Sequence, residues 1–223
     1  MKLLLRLIAF AIAIWCWRFV LNASLSVAWS IAIMWGFVAL VPLVARAGRR
    51  VLDARPQLDR DGWTTFAVHI AEMILLGCAV MVALTFGKSH PIITIPISKS
   101  ITRPVVLLDT AFVAFTVLNL AISGLGAPFA VALSKKLASG GLYSRTRNPM
   151  VLGTLLLAVL LGLWLQSLQV VVWALLWLSP AWLYLVWIYE ERELELRFGE
   201  PYLTYRRRTP FLFPRLLHGG HRV

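Results

Sequence analysis

Two stretches of this chain carry residue types that could do chemistry together. GGLYSRTRNPMVLG (Gly140 to Gly153) holds the tripeptide Arg147, Asn148, Pro149, and YEERELELRFGEPYLTYRRRTPFLFPR (Tyr189 to Arg215) opens on the acid pair Glu190 and Glu191. Asn148 is a preferred N-cap and Pro149 a preferred first helical residue, so the tripeptide predicts a helix start. A helix N-terminus with unbonded N–H groups, beside Arg145 and Arg147, also suits an anion. A carboxylate at Glu190 or Glu191 can accept bonds from hydroxyls or an ammonium group and can answer a positive charge. Each motif alone has a plain structural reading: a helix start, and a solvated helix end with Glu193 paired to Arg197. Brought to the same depth, they would form a two-sided polar cradle.

The elements between them must do that positioning. Two apolar stretches run from Pro149 to the acid pair, with a turn near Ser167. At about 1.5 Å rise per residue, Arg147 lies roughly 30 Å down one helix from that turn and Glu190 roughly 34 Å down its antiparallel neighbour. The two motifs are therefore expected at one membrane face.

The rest of the chain fits this setting. With 60% hydrophobic and 14% charged residues, against about 45–50% and 25% in soluble domains, most of it belongs in lipid. The fold class expected is all-α, a polytopic transmembrane helix bundle. Six apolar stretches approach the roughly 20 residues a bilayer crossing needs: 3–21, 25–47, 64–86, 104–126, 149–165 and 168–189. With the N-terminus in the cytosol, 18 Lys and Arg fall on the inner side and 4 on the outer, which places both termini in the cytosol. Residues 1–126 form four N-terminal spans. Residues 127–223 form a core made of an interfacial segment around Phe129, Val131, Leu133, Lys135 and Lys136, two spans, a charged helix and a tail.

The net charge of +12 sits in loops and at span ends, as expected for contact with anionic headgroups and not for a nucleic-acid groove. Cys16 and Cys78 lie inside apolar spans without ligand-like spacing, so neither a disulfide nor a zinc site is implied, and no metal is expected. His69 and Glu72, three residues apart on one face of the third span, are the notable polar pair. An acid at that depth is either functional or a structural bond between helices, and the two residues could line an acceptor pocket. Asp109 is expected to be snorkelled or paired, and Asn119 to bond a neighbouring helix. The Arg-rich loop from Gly48 to Gly62 reads as a solvated hairpin, and His90 to Pro104 as an extended or interfacial loop.

GGLYSRTRNPMVLG, the following Glu pair, FGEPYLTY and the Pro-bounded apolar end together resemble the isoprenylcysteine carboxyl methyltransferase and phospholipid methyltransferase superfamily of integral-membrane methyltransferases. The resemblance covers residues 140 to 215. It implies S-adenosylmethionine as cofactor, gripped on the cytosolic side between the tripeptide and the Glu pair, with Arg147, Glu190 and Glu191 in the catalytic centre. Gly141, Tyr143, Asn148, Pro149, Gly153, Tyr202 and Tyr205 would complete the cofactor site, and His69 and Glu72 the acceptor site. The chain departs from the family at two places. Asn148 stands where the frequent tripeptide has His, a variation associated with bacterial members and hence with an inner membrane, and Val151 replaces a Tyr.

The acceptor suited to such a site is apolar enough to enter from the bilayer: a prenylated-cysteine carboxylate, a phospholipid amine, or a thiol or lipid-like metabolite. A carboxylate or thiolate would need no base; an amine would, and Glu72, His69, Glu190 and Glu191 are the candidates. Membrane lipids are the expected partners, and nucleic acid is not. Two further readings stay open: a non-enzymatic scaffold, carrier or inactive homologue keeping the fold, and a nicotinamide-dependent membrane reductase. The first would show a polar pathway through the spans if it carried solutes, and the second a nucleotide motif; neither feature is visible.

Overall fold

The computed structural model describes residues 2–54, 62–124 and 136–214. Phe129, Val131, Leu133 and Lys135 of the expected interfacial segment, the loop acids Asp59 and Asp61, and the tail from Arg215 lie outside the described residues. In lipid a backbone must satisfy its own polar groups, so long apolar stretches become helices. These are α1 (Lys2–Asn22), α2 (Val27–Ala54), α3 (Trp63–Ser89), α4 (Lys99–Gly124), α5 (Pro149–Trp164) and, continuous though twice widened, α6 (Leu168–Phe198). A short helix, α7 (Glu200–Arg208), follows. Five of them are long and apolar enough to cross a bilayer. The 16 residues of α5 reach only about 24 Å. The described residues thus give five helices of spanning length and one shorter apolar helix where six comparable stretches were expected.

Two boundaries moved for local reasons, and one proline is absorbed inside a helix. The hairpin loop expected from Gly48 is still helix: α2 continues to Ala54, where Arg49 pairs with Asp53 one turn on. α4 begins at Lys99, ahead of Pro104, because Ser98 caps it. The Ser98 carbonyl accepts from Ile101 and Thr102 N–H, and its hydroxyl accepts from Ser100 N–H at 3.3 Å. α6 carries Pro180 without breaking. A π-helical segment at Ala174–Leu178 widens the turn just before the proline, and Ser179 Oγ donates to the Ala174 carbonyl at 2.7 Å. A second π segment, Val186–Glu190, leads straight into the acid pair.

α3 is the hub, packed between α1 and α2; α2 also lies along α6, and α4 lies on α5. One apolar core runs through α1, α2, α3, α5 and α6, from Val41 and Ala45 through Ala79 and Val82 to Leu185 and Tyr189. At one end of the bundle the start of α3, the ends of α2 and α6 and the start of α5 come together, as the pairs Tyr189–Thr65, Arg192–Asp53 and Arg147–Glu191 show. Arg6 of α1 is buried over the rings of Trp63 and Phe66 at the same end. At the opposite end the Pro-punctuated stretch is extended, as expected, and is clasped to the α5–α6 turn. Ile95 N–H bonds the Gln166 carbonyl and Leu168 N–H the Ile93 carbonyl, each at 3.0 Å.

Candidate active site

Arg147 and the acid pair meet. Arg147 Nη1 lies 2.5 Å from Glu191 Oε1, and the two side chains are only 12% and 8% exposed. The geometry follows from α5 and α6 being antiparallel, with Arg147 just before α5 and Glu191 at the close of the second π segment. The acid pair does not sit on a solvated helix end: Glu191 and Glu193 are both buried, Glu193 in an ion pair with Arg197.

The tripeptide is held by the far end of the chain. Arg147 N–H donates to the Pro210 carbonyl at 2.9 Å, Asn148 Nδ2 to the Phe211 carbonyl at 2.9 Å, and Thr146 Oγ1 to the Leu212 carbonyl at 2.7 Å. The Phe211 ring lies 5.5 Å from the Arg147 guanidinium, within cation–π range. Asn148 therefore stands at the N-cap position but makes no side-chain cap; its amide is spent on the tail. Thr146 and the carbonyls of 210–212, which hold the tripeptide in place, are positions that the residue pattern did not reveal. The visible clue was an apolar Phe-Leu-Phe run bounded by Pro210 and Pro214 in an otherwise charged tail.

Arg147, Asn148, Glu190, Glu191, Tyr143, Tyr202 and Tyr205 line one cavity of about 70 Å³, together with Lys136, Leu194 and Phe198. Ideal i, i+4, i+7 spacing puts Glu190 and Leu194 on a different helix face from Glu191 and Phe198, yet all four reach this cavity. Tyr205 Oη donates to the Tyr143 carbonyl at 2.6 Å, tying α7 to the Gly141–Ser144 turn. Burial pushes the phenols of Tyr143, Tyr202 and Tyr205 well above the usual value, with further upward pushes at Tyr143 from Tyr205 and Glu190. All three stay neutral at physiological pH and offer ring faces and hydroxyls, not bases.

The remaining candidates are placed elsewhere. Gly153 packs on α4, where a Cβ would meet Phe112 at 2.9 Å, and Pro149 is fully buried. Gly141, with φ +59°, lies against Asn119 and makes the turn. His69 and Glu72 do not line the cavity; they stand behind Glu190, with His69 Nε2 3.7 Å from Glu190 Oε1. Asp109 is neither snorkelled nor paired: it is buried, and its Oδ2 has no hydrogen-bond partner among the described residues.

Residues 104–200, which run from α4 through the tripeptide and the acid pair to the start of α7, match the family model described as phospholipid methyltransferase. Over these 97 of the 223 residues the chain is similar to this family of membrane methyltransferases. The resemblance read from residues 140 to 215 is thereby borne out over 140–200, and the match extends it upstream to the helix that Gly153 packs against. Searches of curated proteins and of solved structures give no significant match. The five helices long and apolar enough to cross a bilayer suit an integral-membrane protein, and the matched family is one of methyltransferases.

Members of this family generally use S-adenosylmethionine, and the cavity can be tested against that cofactor. The donor set fits: Arg147 Nε is buried with no hydrogen-bond partner among the described residues, facing the need of a carboxylate. Glu190 supplies an acceptor for hydroxyls or an ammonium group, and the tyrosines supply aromatic faces. The space is tighter, since small-molecule sites usually measure about 300–1,000 Å³. Full occupancy requires the cavity walls to part.

Proposed function

We propose that this methyltransferase uses S-adenosylmethionine to methylate a lipophilic acceptor that enters from the bilayer, with the site on the cytosolic face of a bacterial inner membrane. The observation that carries the reading is the convergence of Arg147, Glu190 and Glu191 with three neutral tyrosines on one cavity at a single end of the bundle. The bias of Lys and Arg to that end supports the cytosolic assignment for the site and for both termini, with six crossings. Residues 127–223 would act as the cofactor-holding part and 1–126 as its membrane support.

When bound, the cofactor supplies an electrophilic methyl group on a sulfonium. Arg147 Nε would hold its carboxylate, and the charge of Glu191 keeps that guanidinium fixed. Glu190 would take the ribose hydroxyls or the ammonium group. Tyr143, Tyr202 and Tyr205 would place aromatic faces against adenine or the positive sulfur. Much of the rate gain in such a transfer comes from positioning and exclusion of water, and the tail segment 209–214 contributes by closing the tripeptide turn.

Incubating membranes that contain the chain with methyl-labelled cofactor, and identifying what becomes labelled, tests this reading. Label is expected in a lipid-soluble product with the unmodified chain and in none with Arg147→Ala. Equal labelling in both, or none with a folded unmodified chain, contradicts it.

A further inference from the structure

On the side of Glu190 turned toward α3, three groups converge. The ligand atoms of His69, Glu72 and Glu190 all lie within 4.8 Å of one another. His69 Nδ1 is 2.8 Å from the Thr65 carbonyl. A carbonyl only accepts, so Nδ1 carries the ring proton and the neutral imidazole turns the lone pair of Nε2 inward. That lone pair faces Glu190 Oε1 at 3.7 Å. Glu72 is 5% exposed, and its Oε2 has no hydrogen-bond partner among the described residues. Three acceptors thus point at one another in a poorly solvated place, which is costly unless a positive charge stands between them. One added proton, on the imidazole or on a carboxyl, would bridge two of the three groups and leave the third.

We propose that His69 Nε2, Glu72 and Glu190 bind a first-row divalent metal ion of the zinc class. Bonds of about 2.0–2.2 Å in a tetrahedral site set ligand atoms about 3.4 Å apart, close to the His69–Glu190 separation of 3.7 Å. Two carboxylates and a neutral imidazole cancel a charge of +2. The mixed nitrogen and oxygen set selects zinc or its neighbours over calcium or magnesium, which take oxygen alone. The Thr65 carbonyl is the outer partner that fixes a metal-binding imidazole. Three protein ligands leave a fourth position open. The ion would lock Glu190, a wall of the cofactor cavity, to α3. This site stands on its own geometry and does not depend on the methyl-transfer reading.

The test uses the full chain purified in detergent, supplied with zinc, desalted and assayed for bound metal. One zinc per chain is expected, with affinity falling at least about 10-fold in Glu72→Gln and in His69→Ala, since even outer-partner losses cost that much. Asp109→Asn, which alters a buried acid of α4, should keep the full content. A folded chain that retains no zinc, or equal zinc in the unmodified chain and both ligand variants, overturns the site. Cobalt loading of the unmodified chain decides the matter if those variants fail to fold. Intense visible ligand-field bands support the site, and the faint spectrum of hydrated cobalt overturns it.

Discussion

The two ends of the bundle are held together by different forces. At the site end, ion pairs bind α2 to α6 (Asp53–Arg192), α5 to α6 (Arg147–Glu191) and α7 to α6 (Arg206–Glu195). At the opposite end the clasp between residues 93–97 and the α5–α6 turn is backbone-to-backbone, with Gln166 Nε2 and Gln169 Nε2 adding bonds to the carbonyls of Ile97 and His90. Neutral backbone bonds fasten helices without specifying a ligand. Of these pairs only Arg147–Glu191 is desolvated, and a buried charge pair is expensive, which marks this end as where the chain has something to bind. Changes at the site end should alter stability and ligand binding together, whereas changes at the clasp should alter stability alone.

The largest effect is expected from Arg147→Ala, which strands the buried Glu191 carboxylate. Losing one partner of a buried pair costs about 3–5 kcal/mol, read as a lower unfolding midpoint in detergent together with loss of cofactor binding. Gly77→Ala comes next. A Cβ there would clash with the Trp17 indole, and Trp17 Nε1 now donates to the Met73 carbonyl. Overpacking of this kind costs about 1–3 kcal/mol, and cofactor affinity should stay unchanged because α1 lies away from the cavity. Gln166→Ala removes one clasp bond and keeps the backbone at φ +57°. The expected loss is about 1 kcal/mol, again with unchanged binding; a binding defect here would break the contrast between the ends.

The smallest effect concerns pH. Tyr143, Tyr202 and Tyr205 have folded-state values raised above the ordinary one, so their contribution to stability is fully present below about pH 10, the unfolded value, and is lost as pH rises further. An ultraviolet titration should show these phenols, among the five tyrosines of the chain, ionising only as the protein unfolds.

Much of this was legible in the sequence. Hydropathy located the apolar helices, and the similar lengths of the two stretches beside Ser167 brought Arg147 and the acid pair to one end. What escaped depended on contacts distant along the chain. Asn148 looked like a cap because local rules favour it, but a carbonyl at Phe211 takes its amide. Glu190 and His69 meet where α6 is widened by the π segment Val186–Glu190 that carries Glu190 itself, a widening that no hydropathy period announces. The start of α4 was hidden because prolines at 96 and 104 outweighed Ser98 as a cap.

The central claim is that the Arg147–Glu190–Glu191 cavity holds the methyl donor. Equilibrium dialysis of the purified chain against labelled S-adenosylmethionine tests it directly, with Glu190→Gln as the comparison. Saturable binding by the unmodified chain and its loss in the folded variant is the result expected. A folded, monodisperse unmodified chain that binds none, or a Glu190→Gln variant that binds equally well, would contradict the account.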